Sequence, residues 1–513
     1  MTLEGQTIRN APDRGGSATS ETPAEATGST NEPVSSSMAT VKCRLAHLLF
    51  RPVPIAPLVY YRIAFGLVMV WEASRYLRDD WVHELFLAAD FQFKYYGFEW
   101  VRRWPGEWMH LHFYGLAILG LMIAAGAWFR VASALFFLAF TYVFLLDQAN
   151  YLNHLYLVCL LSFLMPFLPA HCAASIDATA RPYIVRSHVP AWTWGLVTFQ
   201  IAVPYFFGGI AKLTPDWLRG EPIRTWMRGE HLPVLGGWPA TEAGVWVLSY
   251  GGLLFDLLVV PALLWRRTRL LALVAAVSFH LFNYLAFNIG IFPWLMLATL
   301  PLFLPLNWWE RVNERWISDP AAVAPEAKSN SQSTPGVWTP RRITVAALTA
   351  AYVAVQVVVP LRHWLYPGVV HWTEDGHRFS WHMMLRNKRG TARYIVRHPE
   401  LPSPVEVDPN DWLTREQQKK AATHPDMILQ FAHYVAKEFE KEGFRGAEVT
   451  ADVRVSLNGR PPQVLIDPNV NLASVRRSIR PSHWVLPLRE PLHISPLPSR
   501  PLSRSQGVAE SER

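Results

Sequence analysis

The chain has 513 residues, of which 51% are hydrophobic and 17% charged, against roughly 25% charged residues in soluble domains. This composition excludes an ordinary soluble globular protein and points to a polytopic membrane protein. The net charge is +8 and 23 residues are Trp; in such a protein basic residues gather in cytoplasmic loops and tryptophans in interfacial belts, so the charge is no nucleic-acid signal.

Residues 1–40 are rich in Ser, Thr, Gly, Pro, Ala and Glu, have no apolar period and are expected to be disordered. No apolar h-region follows a basic start there, so they are no signal peptide. Residues 41–361 form the expected transmembrane domain. Apolar runs at 57–77, 110–128, 131–147, 152–169, 189–212, 243–265, 269–287, 289–306 and 343–361 suggest about nine spans, several of them short. An odd number of spans puts the termini on opposite sides. Lys42, Arg44, Arg51, Arg130, Arg181, Arg186, Arg266, Arg267 and Arg269 then share one side, while the turns at 148–151 and 288 hold no Lys or Arg. By the positive-inside rule the N-terminus is cytoplasmic and the C-terminus outside. The loops 78–109 and 213–242 carry basic residues against that trend.

Residues 362–480 change character. Apolar and polar residues alternate through Thr391–Arg397 and Val449–Ser456, as in strands, and Asn458-Gly459 is a hairpin signal before Gln463–Ile466. Thr414–Gln417 and Pro425–Lys441 read as helices, the latter with Ile428, Phe431, Ala432, Val435 and Phe439 on one face. The tail 481–513 is rich in Pro, Ser and Arg and is expected to be disordered. The expected fold class is an α-helical polytopic membrane protein of about nine transmembrane helices with a C-terminal extracytoplasmic α+β domain.

Polar residues at membrane depth are costly and face cavities or one another. The topology puts Lys212, at the end of the run that closes with Tyr205–Lys212, level with Asn153-His154 and with His280 and Asn283. Each has a plain reading and a chemical one. Lys212 is either a snorkelling helix end or a base in a dry pocket. His154 is either an interfacial cap or a site residue. His280 and Asn283 are either interhelical hydrogen-bond partners or site residues. Asp256, mid-run in its own span, either pairs with a neighbour or joins them. There is no HExxH, CxxC, Walker loop, GxGxxG or GxSxG, so hydrolase and nucleotide chemistry have no support. Cys43, Cys159 and Cys172 show no metal spacing, the histidines are too scattered to argue a metal site, and none is expected.

Four blocks resemble a known family, the vitamin K-dependent γ-glutamyl carboxylases with the related bacterial horizontally transferred transmembrane (HTTM) domain. They are Asn153-His154-Leu155-Tyr156-Leu157; Tyr205-Phe206…Gly209-Ile210-Ala211-Lys212-Leu213…Asp216-Trp217; Phe279-His280…Asn283…Phe287…Ile289-Gly290-Ile291-Phe292…Met296-Leu297-Ala298; and Phe379-Ser380-Trp381-His382-Met383-Met384. The resemblance implies oxidation of vitamin K hydroquinone (a reduced menaquinone or phylloquinone type) by O2 to the epoxide. It also implies carboxylation of peptidyl glutamate by CO2 to γ-carboxyglutamate. It makes Lys212 the base acting on the hydroquinone, with Asn153, His154 and His280 as further catalytic residues and Tyr205, Asn283 and Trp381 at the cofactor. The partners it implies are the lipid bilayer, a glutamate-containing peptide or protein and a quinone reductase, and the location a bacterial inner membrane. The chemistry is coherent: a glutamate γ-C–H is too weak an acid for any side chain, so a stronger base must be generated where bulk water is excluded. Ala211 stands where the family commonly has a second lysine, Leu385-Arg386-Asn387-Lys388 follows the last block in place of a histidine, and the outer domain is shorter than in the animal enzymes. Two other readings are a quinol-dependent epoxidase or oxygenase without carboxylation, and a membrane transport or lipid-binding protein.

Overall fold

The computed structural model describes residues 34–228, 236–287, 289–316, 337–494 and 497. Most of the stretch expected to be disordered at either end lies outside these residues; helix α1, Val34–Phe50, begins inside the N-terminal one. The helices that follow are α2 (Ala56–Arg78), α3 (Trp108–Ala125), α4 (Phe129–Leu146), α5 (Asn153–Leu164), the short α6 (Ile176–Ala180), α7 (Ala191–Ala211), the short α8 (Ile223–Met227), α9 (Glu242–Leu264), α10 (Arg269–Ala286), α11 (Phe292–Thr299), α12 (Leu306–Trp316) and α13 (Pro340–Leu361). Among the described residues six helices, α3, α4, α7, α9, α10 and α13, are long and apolar enough to cross a membrane.

The other three of the nine expected spans, among the described residues, do not meet that length and composition, each for a physical reason. Helix α5 has 12 residues and α11 has 8, against the roughly 20 that a span requires. Each passes into a 3-10 turn that contains a proline, Met165–Phe167 and Leu300–Phe303; proline lacks the N–H that would continue the helix. Helix α2 is 23 residues long but carries Arg62, Glu72, Arg75 and Arg78. Arg62 is buried and donates to the carbonyls of Ala170 (3.1 Å) and Ala174 (2.6 Å), and Arg75 donates to Glu72 (2.8 Å).

Glycines set two features of the bundle. Gly126 is left-handed (φ 67°) and sends its N–H to Ile123, while Ala127 bonds Met122, so α3 ends and α4 begins within a few residues. At Gly66 a Cβ would lie 2.6 Å from both the Ala124 nitrogen and the Gly120 oxygen, so α2 and α3 meet backbone to backbone. Gly66→Ala is expected to force them apart at a cost of about 1–3 kcal/mol, read as a lower unfolding temperature in detergent. Gly115, on α3, has open space at its Cβ position, and Gly115→Ala is expected to leave stability unchanged or slightly raised.

The C-terminal part has its own core. Strands β3 (Lys388–Arg397), β4 (Val405–Val407), β5 (Glu448–Leu457) and β6 (Gln463–Val464) form an antiparallel sheet in the order β4-β3-β5-β6; β1 (Pro52–Pro54) and β2 (His188–Pro190) pair separately on the bundle. Asn458 and Gly459 have φ of 52° and 77°, the left-handed pair that a tight hairpin needs. Preceding the sheet is a one-turn helix, α14 (Val370–Thr373); α15 (Arg415–Ala421) starts on a Thr414/Gln417 capping box, and α16 (Pro425–Lys441) buries Ile428, Phe431, Ala432 and Val435 against β5.

This domain is fastened to loops at one end of the bundle. Gln148 donates to Asp426 (2.8 Å), Gln417 donates to Asp147 (2.7 Å), and Phe93 enters the domain's apolar core. The loops 88–107, 147–152 and 213–222 thus lie on the domain's side. Burial raises the Asp147 carboxyl to about 6, partly offset by its hydrogen bonds from Ala149 and Gln417.

Candidate active site

Where the bundle meets the outer domain is a cavity of about 810 Å³. Helix α5 starts at its rim and brings Asn153 and His154. Helix α7 contributes Tyr205 and, at its C-terminal end, Lys212; α9 contributes Gly251, Gly252 and Asp256; α10 contributes Asn283; Met383 and Met384 come from the segment before β3. The remaining wall is largely aromatic and aliphatic, with Phe279, Phe282, Phe287 and Phe292 prominent.

The lysine has a definite partner. Lys212 Nζ lies 2.5 Å from Asp256 Oδ2 and 3.4 Å from the Gly208 carbonyl, with Lys212 and Asp256 exposed by only 6% and 5%. Those values exclude the snorkelling reading, which needs the ammonium in water. The Trp217 ring lies 5.2 Å from the ammonium, within cation–π range, and that indole donates to the Ser249 carbonyl (2.9 Å). Gly252 leaves room for the pair: a Cβ there would sit 3.9 Å from the lysine Cε and 3.7 Å from Trp217.

The other expected residues separate into two groups. Asn153, His154, Tyr205 and Asn283 line the cavity with Lys212. His280 and Trp381 stand behind its wall. His280 is fully buried and shares a 2.7 Å hydrogen bond with the Tyr205 hydroxyl through Nε2, so it acts on the cavity through Tyr205. Trp381 is buried against Tyr156, ring centroids 5.1 Å apart, and its neighbours Met383 and Met384 face the cavity. Asn153 is engaged on both ends of its amide: it donates to the His382 carbonyl (3.2 Å) and accepts from the Tyr151 hydroxyl (3.0 Å). Tyr151 in turn accepts from the Phe379 backbone N–H (2.7 Å). Asn153 therefore ties the start of α5 to the segment carrying Trp381.

Glu72 escaped the sequence reading, and Asp216, quoted there only as part of a motif, has partners that the motif did not show. Glu72 reaches the cavity from α2 and pairs with Arg75; its signal was an acid and a base three residues apart inside an apolar run. Asp216, four residues beyond Lys212, holds the outer domain. It accepts two hydrogen bonds from Arg460 (2.6 and 2.7 Å) and one from Asn458 (2.8 Å). Burial alone would raise the Asp216 carboxyl, but those bonds and the Arg460 charge outweigh it and hold it below the ordinary carboxylate range. The same hairpin that turns β5 into β6 thus grips the end of α7.

The family model of the HTTM domain matches residues 50–308, half of the chain, and includes every cavity residue of α5, α7, α9 and α10. The model of the vitamin K-dependent gamma-carboxylase lumenal domain matches residues 341–491, which include α13, the Trp381 segment and the sheet. No solved structure matches the chain. With the two matched regions in this order, the apolar helices carrying one and the docked outer domain carrying the other, the chain is an integral membrane protein with a lumenal-type C-terminal domain and belongs to the HTTM-domain, vitamin K-dependent gamma-carboxylase family.

Proposed function

We propose that this protein is a membrane-embedded vitamin K-dependent carboxylase, converting vitamin K hydroquinone and O2 to the epoxide while adding CO2 to the γ-carbon of a peptidyl glutamate. The observation that carries the reading is the buried Lys212–Asp256 pair at the polar end of a cavity otherwise walled by aromatic side chains. A quinol with an apolar tail fits that division: the ring requires a few hydrogen-bonding groups, and the tail requires the apolar wall. When bound, the hydroquinone supplies the reducing equivalents and, on oxygenation, a base strong enough to remove the glutamate γ-proton.

The chain's own residues do the rest. Lys212 in its amine form takes a proton from a quinol hydroxyl. Asp256, 2.5 Å from the lysine nitrogen, is placed to take the proton that Lys212 must give up before it can act as a base. The Tyr205–His280 hydrogen bond and the His154 ring offer proton donors toward developing oxyanions. Met383 and Met384 line the cavity beside the outer domain with the buried Trp381 behind them, which limits access of bulk water on that side. Asn153 positions that closing segment.

The deciding experiment incubates the purified protein with vitamin K hydroquinone, a glutamyl peptide and labelled bicarbonate. The expected result is epoxide together with acid-stable label in the peptide. Epoxide without label would leave a quinol oxygenase in place of a carboxylase, and the absence of both products would overturn the proposal.

A further inference from the structure

The sequence leaves His371, His377 and His382 as three of many scattered histidines. The fold gathers them. His371 is on the one-turn helix α14, His377 on the turn that follows, and His382 between Trp381 and Met383. One ring nitrogen from each lies within 4.8 Å of the others, and the ring centroids are 5.9, 5.2 and 5.0 Å apart. His371 and His382 are each only 5% exposed. Both ring nitrogens of His371, and Nδ1 of His382, have no hydrogen-bond partner. A buried imidazole normally satisfies its N–H and its lone pair; here several remain open and face one another.

From this convergence we propose that His371, His377 and His382 form a binding site for a divalent transition-metal ion of the zinc class, next to the quinol cavity and distinct from it. Three imidazole nitrogens suit Zn2+ and its neighbours in the first transition row, whereas Ca2+ and Mg2+ require oxygen donors. Metal–nitrogen bonds of about 2.0–2.1 Å hold tetrahedral ligands about 3.3 Å apart, so no pair of ring nitrogens has to close by more than about 1.5 Å on binding.

The surroundings suit a cation. His377 Nδ1 lies 3.8 Å from the Glu374 carboxylate, beyond hydrogen-bond distance but close enough for a supporting acid beside a metal-bound ring. Glu374 also accepts from Arg386 and from Lys388 (2.9 Å), so its one carboxylate offsets part of the positive charge of those two side chains. His363 is adjacent, its ring centroid 4.7 Å from that of His382, and its Nδ1 bonds the Pro360 carbonyl (2.8 Å), which leaves the fourth position to its Nε2 or to water.

The ion's role follows from where His382 sits. Phe379, Trp381 and Met384 have φ of 62°, 59° and 49°, a left-handed conformation that costs a non-glycine residue about 1–3 kcal/mol. Asn153 and Tyr151 grip this segment's backbone at His382 and Phe379, and Arg362 holds it at Arg378 and Ser380. A metal on His382 adds a further anchor and ties it to α14.

The test uses full-length protein, purified in detergent without a polyhistidine tag, loaded with Zn2+ and dialysed against metal-free buffer. Mass spectrometry is expected to find about one zinc per chain. X-ray absorption at the zinc edge is expected to show at least three imidazole nitrogens, and Co2+ substitution the intense visible bands of a tetrahedral site. The His371→Asn/His382→Asn double variant, checked for monodispersity, is expected to lose the ion. Wild-type protein retaining under about a tenth of an equivalent, a first shell with fewer than three imidazoles, or a folded double variant that keeps its zinc would each overturn the proposal and leave a hydrated histidine cluster.

Discussion

Lys212→Ala is expected to lower epoxide formation by roughly 100- to 10,000-fold, the range that a positioned general base contributes. Lys212→Arg is expected to do the same, because a guanidinium keeps its proton throughout the working range. An active Arg variant would remove Lys212 from the base role. A small primary amine diffusing into the vacated space should restore part of the activity of the Ala variant and none of that of the Arg variant. The pairing with Asp256 adds a second arm. Asp256→Asn keeps a hydrogen-bonding group beside the amine but removes the proton acceptor; a loss within tenfold of the Lys212→Ala loss is expected, and unchanged turnover would make Asp256 a structural counter-ion only. Stability has to be measured alongside. Deleting one member of the buried pair leaves the other without its hydrogen-bond partner, at about 1–3 kcal/mol, whereas replacing both by apolar residues of similar volume is often neutral. The double variant Lys212→Met/Asp256→Leu is therefore expected to be as stable as the wild type and inactive, which separates chemistry from folding.

The second large effect is expected at Asp216. Asp216→Ala leaves the Arg460 guanidinium, 9% exposed in its side chain, without its carboxylate, at a cost of about 3–5 kcal/mol, and frees Asn458 from its bond. Limited proteolysis should then release the outer domain faster than in wild type, and activity should fall because α7 is no longer held four residues beyond Lys212. The carboxyl is depressed in the folded protein, so its contribution is complete above about pH 3.9, the unfolded value, and is lost as pH falls through the lower folded value. A wild-type domain that loosens on acidification within that window, with Asp216→Ala loose at every pH, is the expected pair of results. Equal protease resistance in the two proteins at neutral pH would show that the other contacts, such as Gln417 to Asp147, suffice.

The sequence made parts of this legible for identifiable reasons. Strands β3 and β5 and the helix α16 carry unbroken periods, and Asn458-Gly459 marks its own turn, so the outer domain could be drawn in outline. The runs at 152–169 and 289–306 read as spans because one proline, Pro166 or Pro301, does not interrupt the hydropathy of a long apolar run, although each ends a helix. Depth along a helix follows from counting residues, and this placed Lys212, Asn153, His154, His280 and Asn283 near one level. Azimuth does not. Nothing in the order of residues says that Lys212 faces Asp256, 44 positions away, or that His280 stands behind Tyr205 instead of in the cavity. The histidine cluster was hidden for a related reason: its members sit on a one-turn helix and irregular backbone, where no fixed period relates spacing to direction.

The left-handed run of Phe379, Trp381 and Met384 also bears on biogenesis. A ribosome delivers the helices of the bundle before this segment, and the contacts that hold its backbone come from Tyr151 and Asn153, already in place. The earlier-made half is thus the mould for the later-made seal. Until the C-terminal part has docked, the cavity lacks the stretch of wall that Met383 and Met384 supply.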